Sequence, residues 1–367
     1  MELTNYWWLL IWLFGAGMFL HLTFPKKQVM SGGLREERWE KMPAVILATP
    51  YVIWATFRRN FGDTELYRSI FRDAPNSLAQ IGTYLTANTK DQGYSVFTII
   101  FKMILGNSDI LFFLLIALFQ MVCIVWFFRK YSSNYWISFF LFIVSTDYLS
   151  WMHNGMRQFI ASAIVLIATE MLIQKKYVAM VLLILFASTF HASVLIVLPI
   201  MFIVQGKAWN HRTLLFMLGS LIVFVYVDKF TPILDQFLSD TQYSDMMTNE
   251  IWTTDDGTNI LRVIVYSMPA LLSLVGIPYL NKYGNRTINI CVNCSIVTMM
   301  IYLLASVTSG IYIGRLPIYT TLQGYVAVPW LINNMFEEKS ARMMSVLMMG
   351  AFLVFFYFQM HIGWRLL

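Results

Sequence analysis

The chain has 367 residues, of which 58% are apolar, 16% aromatic and only 13% charged. A soluble globular chain carries about 25% charged residues, so this composition excludes a water-facing fold. The formal charge of +6 lies between apolar runs, with no Lys/Arg tract interleaved with aromatics. It therefore reads as the loop charge of a membrane protein and not as a nucleic-acid surface.

Apolar runs of bilayer-crossing length, roughly 17–25 residues, recur along the chain. Backbone groups in lipid must be satisfied internally, and the alternation of a membrane β-barrel is absent, so the runs are predicted to be helices. The fold class is all-α: a polytopic integral membrane protein, read as a single transmembrane domain over 1–367. About twelve spans are predicted, near 5–24, 42–57, 109–128, 134–150, 157–173, 177–189, 192–205, 213–228, 260–280, 287–307, 316–334 and 343–362. The first run, Trp7 to Phe24, is read as a retained span, because His21, Thr23 and Pro25 make a poor cleavage site. The apolar stretch Tyr94 to Leu105 is too short to cross and is read as re-entrant or interfacial.

Short loops at 25–41, 129–131, 174–176, 206–212, 281–286 and 335–342 hold 15 of the 26 Lys and Arg residues, which assigns that side to the cytoplasm. The opposite side carries two longer polar segments, 58–93 and 229–259, and both ends of the chain. Cys123, Cys291 and Cys294 sit inside apolar runs without a second pair or a nearby His, and read as helix-packing residues.

The candidate site residues are the cations that depart from this charge rule. Arg58 and Arg59 end the second span, Arg157 begins the fifth, Arg262 lies near the start of the ninth and Arg315 just precedes the eleventh. Snorkelling, or pairing with an acid such as Asp147, accounts for any one of them. Four helix ends presenting Arg to the same side favour a shared anion site, because Arg binds phosphate oxygens bidentately.

The densest polar cluster runs from Asp147 to Gln158. Within it His153 and Arg157, and Asn154 and Gln158, are four apart, so a helix start would put each pair on one face. A helix N-terminus adds partial positive charge and free N–H groups, and an ordinary polar cap is the alternative. His191 stands in Phe190-His191-Ala192-Ser193 at an outer turn, structural or active with equal weight. Arg315 and Tyr319 are again four apart. Gly62-Asp63-Thr64 makes a turn and cap, and Glu65, Arg68 and Arg72 have the spacing of helical salt pairs.

No P-loop, dinucleotide fingerprint, zinc-protease helix or nucleophile elbow is present, so no cofactor and no metal is expected.

The set Arg58…Gly62-Asp63-Thr64-x-x-Tyr67…Phe71, Gly93-Tyr94, Asn154-Gly155-x-Arg157-Gln158, Phe190-His191-x-Ser193 and Arg315…Tyr319 resembles the EpsG-like family of Wzy-type bacterial polysaccharide polymerases. Asp91 before Gly93 matches the family's acidic position only loosely. The resemblance implies a GT-C-like membrane glycosyltransferase in the bacterial cytoplasmic (inner) membrane, active face outward. It implies polymerisation of undecaprenyl-diphosphate-linked repeat units into exopolysaccharide, capsule or O-antigen, with a flippase and a chain-length regulator as partners and no nucleic acid.

On that reading Arg157 and Arg315 clamp the diphosphate with help from Arg58. His191 accepts the proton of the attacking hydroxyl, with Asp63 as a second candidate. Tyr67, His153, Asn154, Gln158, Ser193 and Tyr319 complete the substrate-binding set, and Tyr243 and Trp252 of the second outer segment would hold the acceptor. A lipid-linked oligosaccharide flippase or other transporter, an O-antigen ligase-type transferase and a membrane acyltransferase are the rival readings.

Overall fold

The structure is a computed structural model, and it describes residues 6–31, 33–59, 61–227, 229 and 257–364. The second outer segment, with Tyr243 and Trp252, falls almost wholly outside the described residues. The described chain is helical apart from one hairpin, and it divides into two compact units, Met1–Pro199 with Phe336–Leu367, and Ile200–Met335.

The first unit opens with α1 (Tyr6–Thr23), followed by a hairpin of β1 (Lys26–Ser31) and β2 (Leu34–Trp39), paired antiparallel from Lys26↔Trp39 to Ser31↔Leu34. Sequence reading made this stretch a plain charged loop. Its polar strands carry little apolar alternation, but the Gly32-Gly33 pair, with Gly33 at φ +82°, was a turn signal. Then come α2 (Lys41–Thr56), α3 (Thr64–Asp73), α4 (Ile81–Ala87), α5 (Gln92–Leu105), α6 (Asp109–Tyr131), α7 (Tyr135–Val144), α8 (Asp147–His153), α9 (Met156–Ile173) and α10 (Tyr177–Ser188). A 3-10 turn over Ala192–Ile196 leads into α11 (Val197–Ile203).

The second unit contains α12 (His211–Val225), α13 (Ile260–Val275), α14 (Ile277–Tyr283), α15 (Arg286–Ala305), a 3-10 segment Ile313–Tyr319 and α16 (Thr321–Met335). The chain returns to the first unit as α17 (Glu338–Tyr357) and a π-helical turn to Gly363. Helix starts follow their caps: the Ser108, Asn134, Asn210, Asn259 and Asn285 side chains accept backbone N–H bonds at the starts of α6, α7, α12, α13 and α15.

Among the described residues, five helices are long and apolar enough to cross a bilayer: α1, α6, α9, α15 and α17 with its π turn. A sixth span results if α13 and α14, bent by 66° at Gly276, are counted together. The chain is thus a multi-pass helical membrane protein. The other predicted spans fall on shorter helices, such as α2, α10, α12 and α16, or on broken ones. The run 134–150 breaks at Ser145–Thr146, where Thr146 takes φ +74°.

The first unit's core is aromatic. Tyr6 packs edge-on against Trp54 and stacks on Phe356, and Tyr51 meets Tyr148 and Phe139. These three core tyrosines satisfy their hydroxyls on carbonyls: Tyr6 on Ile143 (3.1 Å), Tyr51 on Leu9 (2.8 Å) and Tyr148 on Tyr51 (2.5 Å). Helices α6 and α9 run side by side in the same direction. Gln120 Nε2 donates to Met156 O at one end, and Lys130 meets the buried Glu170 at 2.6 Å at the other. In the second unit α15 is central, packed by α12, α13 and α16. The three cysteines are buried and unbridged.

Candidate active site

The site in the first unit is built from the beginnings of helices. Asp91 sits just before α5 in left-handed conformation, φ 53°. The start of α5 is held against the end of α10 by Gly93 N–H, which donates to Thr189 O at 2.8 Å. A Cβ at position 93 would lie 2.1 Å from Thr189 Oγ1 and 2.5 Å from Thr189 Cβ, so only glycine permits this approach. His191 follows two residues after Thr189, ahead of the 3-10 turn. Arg157 lies in the first turn of α9, just after Gly155 breaks the chain from α8.

These three turns converge on one carboxylate. Arg157 Nη1 is 2.8 Å from Asp91 Oδ2, and His191 Nδ1 is 3.4 Å from the same oxygen. The Asp91 side chain is 9% exposed, whereas Arg157 and His191 are each 30% exposed. A mostly covered acid therefore holds two partly open groups, leaving other guanidinium N–H donors and His191 Nε2 available. Arg157 also lies over the rings of Tyr67 and Tyr94, at 5.9 and 5.8 Å from their centroids. Tyr67 and Tyr94 are buried and meet edge to face. Burial pushes the Tyr67 phenol above its ordinary value, so it stays protonated beside Arg157. Gln158 Nε2 reaches Ser193 Oγ at 3.5 Å, tying α9 to the 3-10 turn behind His191.

Arg157, His191, Tyr67, Gln158 and Ser193 are thus brought together. Other expected members lie elsewhere. His153 is 1% exposed, its Nδ1 on Leu149 O and its ring against Trp54, Phe61 and Tyr148. Arg58 is 5% exposed, donates to Ala55 O and Met152 O, and lies 4.7 Å over Phe113. It staples α2 to the end of α8. Asn154 packs on Gly62, where a Cβ would come 2.8 Å from its Oδ1. Asp63 precedes α3, half-buried and without a capping bond. Glu65, Arg68 and Arg72 are accounted for by ion pairs: Arg68 joins Glu65 at 2.6 Å and Asp109 at 2.7 Å, and Arg72 joins Asp109 at 3.5 Å, which docks α3 on the start of α6.

Two expectations of shared helix faces fail. The pairs His153/Arg157 and Asn154/Gln158 straddle the break at Asn154–Gly155, so the 3.6-residue period does not connect them. Arg315 and Tyr319 lie in a 3-10 segment containing Pro317, where i and i+3 eclipse and i+4 points elsewhere; Arg315 is exposed and Tyr319 fully buried. Arg315 belongs to the second unit, as does Arg262, which lies over the Tyr266 and Tyr302 rings.

The residue that sequence reasoning undervalued is Asp91, the hub of the cluster. Its signal was the Asp91-x-Gly93-Tyr94 pattern. The obstacle was the 100-residue separation from His191, which no local period spans.

An apolar cleft of about 470 Å³ opens beside this cluster. Phe97 and Phe101 of α5, Phe119 of α6, Ile160 and Ile164 of α9, and Phe190 line it. Tyr94, Phe97 and Phe101 follow one face of α5, and Arg157, Ile160 and Ile164 one face of α9. The same two helix faces therefore carry the polar cluster and the cleft, and Phe190 adjoins His191. Among the described residues, no group of three or more His, Cys, Asp and Glu is placed to hold a metal ion.

No curated protein and no solved structure matches the chain. The model of the EpsG family matches residues 41–363, a span containing every element of the cluster and the cleft, and the chain belongs to the EpsG family.

Proposed function

We infer that this chain is a membrane glycosyltransferase that joins lipid-diphosphate-linked oligosaccharide repeat units into a polysaccharide. The carrying observation is the continuity of the Asp91–Arg157–His191 cluster with the apolar cleft on shared faces of α5 and α9. A ligand suited to both parts is an amphiphile with an anionic head and a long hydrocarbon chain, such as an undecaprenyl diphosphate. Membership of the EpsG family supports a role in polysaccharide biosynthesis.

In the proposed reaction Arg157 donates N–H bonds to the diphosphate. The acceptor hydroxyl oxygen attacks the anomeric carbon and its proton passes to His191 Nε2, the imidazole being oriented through Nδ1 by Asp91. The bond from the anomeric carbon to the phosphate oxygen breaks, and the lipid diphosphate leaves with the electron pair. Charge stabilisation of that leaving group is the term expected to dominate. Asp91 acts as a positioning residue for Arg157 and His191, and Asp63 is the second candidate for accepting the proton. On this proposal the chain makes about twelve crossings in a GT-C-like arrangement in the inner membrane, with the cluster outward. A flippase supplies the substrate, a chain-length regulator acts beside it, and the product is capsule, exopolysaccharide or O-antigen.

The test is Arg157→Ala in cells or vesicles supplied with lipid-linked repeat units. Single units should accumulate on the outer leaflet and long chains should vanish, with Arg157→Lys recovering little because Lys lacks the planar fork. Single units trapped on the inner leaflet would indicate a flippase. Long lipid-linked polymer left unattached would indicate a ligase.

A further inference from the structure

We propose that a cationic cleft in the second unit binds the phosphate head group of an anionic membrane lipid, at the end of the helices that the loop charges assign to the cytoplasm. The cleft, about 680 Å³, is lined by Lys207 and Trp209 of the α11–α12 turn, by His211 and Arg212 at the start of α12, by Asn281 of α14 and by Arg286 at the start of α15. Ligand sites commonly occupy about 300–1,000 Å³.

The cleft is a built feature. Its wall, the α11–α12 turn, is pinned from below by α15. Asn293 is fully buried; its amide donates to Val204 O (2.9 Å) and Lys207 O (3.0 Å), and its Oδ1 accepts Trp209 N–H at 3.1 Å. Asn289 Oδ1 accepts Ala208 N–H at 3.0 Å, and the Trp209 indole donates to Ser273 at 3.1 Å. Trp209 itself holds φ +57°, an arrangement that a non-glycine residue keeps only when its surroundings impose it. The Arg212 guanidinium lies 4.3 Å over the Phe202 ring and donates to Phe202 O at 3.2 Å, which fixes its direction.

Charge selects the occupant. Among the described residues, no carboxylate lines the cleft and none occurs in Ile200–Met335, which nevertheless carries several lysines and arginines. Position selects the source. The cleft lies where α15, long enough to span, begins, so it faces the head-group layer. Trp209 is the kind of amphipathic ring that settles at that depth. Basic pockets between spanning helices on the cytoplasmic side suit lipid phosphates, and each Lys or Arg near the surface contributes about 1 kcal/mol. The inference is independent of the glycosyltransferase reading.

The test is native mass spectrometry of the full chain in detergent with added phosphatidylglycerol or phosphatidylcholine. The chain should retain phosphatidylglycerol and release phosphatidylcholine. Lys207→Gln with Arg212→Gln should weaken retention roughly 30-fold, about fivefold per cation. Lys282→Gln, outside the lining, should change nothing. Equal retention of both lipids, or retention unchanged in the double variant, overturns the proposal. Displacement by inorganic phosphate at the lipid's own concentration would assign the cleft to a soluble anion instead. On the unaltered chain, a phosphatidylglycerol analogue with a photoreactive head should label peptides 205–212 and 281–286, and labelling spread along all basic loops would refute the site.

Discussion

Replacing Gly93 with Ala tests whether the approach of α5 to the end of α10 assembles the site. The backbone at Gly93 is not left-handed, so alanine meets no conformational penalty of its own. Its Cβ would instead lie 2.5 Å from Thr189 Cβ and 2.9 Å from Thr189 O, against about 3.5 Å for a relaxed carbon contact. Those atoms belong to the backbone and its first side-chain carbon, so the start of α5 must retreat by about 1 Å. The retreat lengthens the 2.8 Å bond from Gly93 N–H to Thr189 O and carries Asp91 away from His191.

Overpacking costs about 1–3 kcal/mol and the lost bond about 0.5–1.5 kcal/mol, so stability should fall by roughly 2–4 kcal/mol. A 1 Å displacement of catalytic geometry costs on the order of 100-fold in rate. Polymer yield per folded protein should drop by about that factor, measured in vesicles with protein quantified by size-exclusion chromatography. Gly82→Ala is the control, since nothing lies within 4 Å of its Cβ, and it should retain activity. Normal polymer from Gly93→Ala at normal protein level would show that the Asp91–His191 approach is not needed.

Asp91→Asn and His191→Gln should each lower the rate by about 10²–10⁴-fold, the range of general acid–base contributions. Combined, they should cost little more than the worse single variant, because Asp91 acts through His191 and Arg157. Additive losses would make Asp91 an independent participant. Asn293→Leu should lower thermal stability by about 2–4 kcal/mol, since it leaves Val204 O, Lys207 O and Trp209 N–H unpaired around a fully buried position. Unchanged melting of this variant in detergent would mean that the α11–α12 turn holds itself.

Much of the class of this protein is legible without coordinates. Hydrophobic content and run length are sums over local sequence, and the bilayer leaves few ways to satisfy a backbone, so helices follow directly. The motif residues Arg157, His191, Gln158, Ser193 and Tyr67 were visible for a related reason: polar groups next to apolar runs stand out by contrast. Helix continuity was less legible. The breaks at Thr146 and at Asn154–Gly155, and the 3-10 course of Ile313–Tyr319, interrupt runs whose composition is uniformly helical or apolar. Inferences about shared faces fail wherever such a break intervenes.

The membrane class and the site's chemical vocabulary are properties of neighbouring residues, and local physical chemistry reads them from the sequence. Which cation meets which carboxylate is decided by packing. Asp91 and His191 are 100 residues apart, and they meet because a missing Cβ at Gly93 lets two helix ends touch. The same packing turns Arg58 and His153 inward and leaves Arg157 half-open, although all three looked alike as polar residues at helix ends. Burial is set by all the elements around a side chain at once, and no single stretch of sequence contains them.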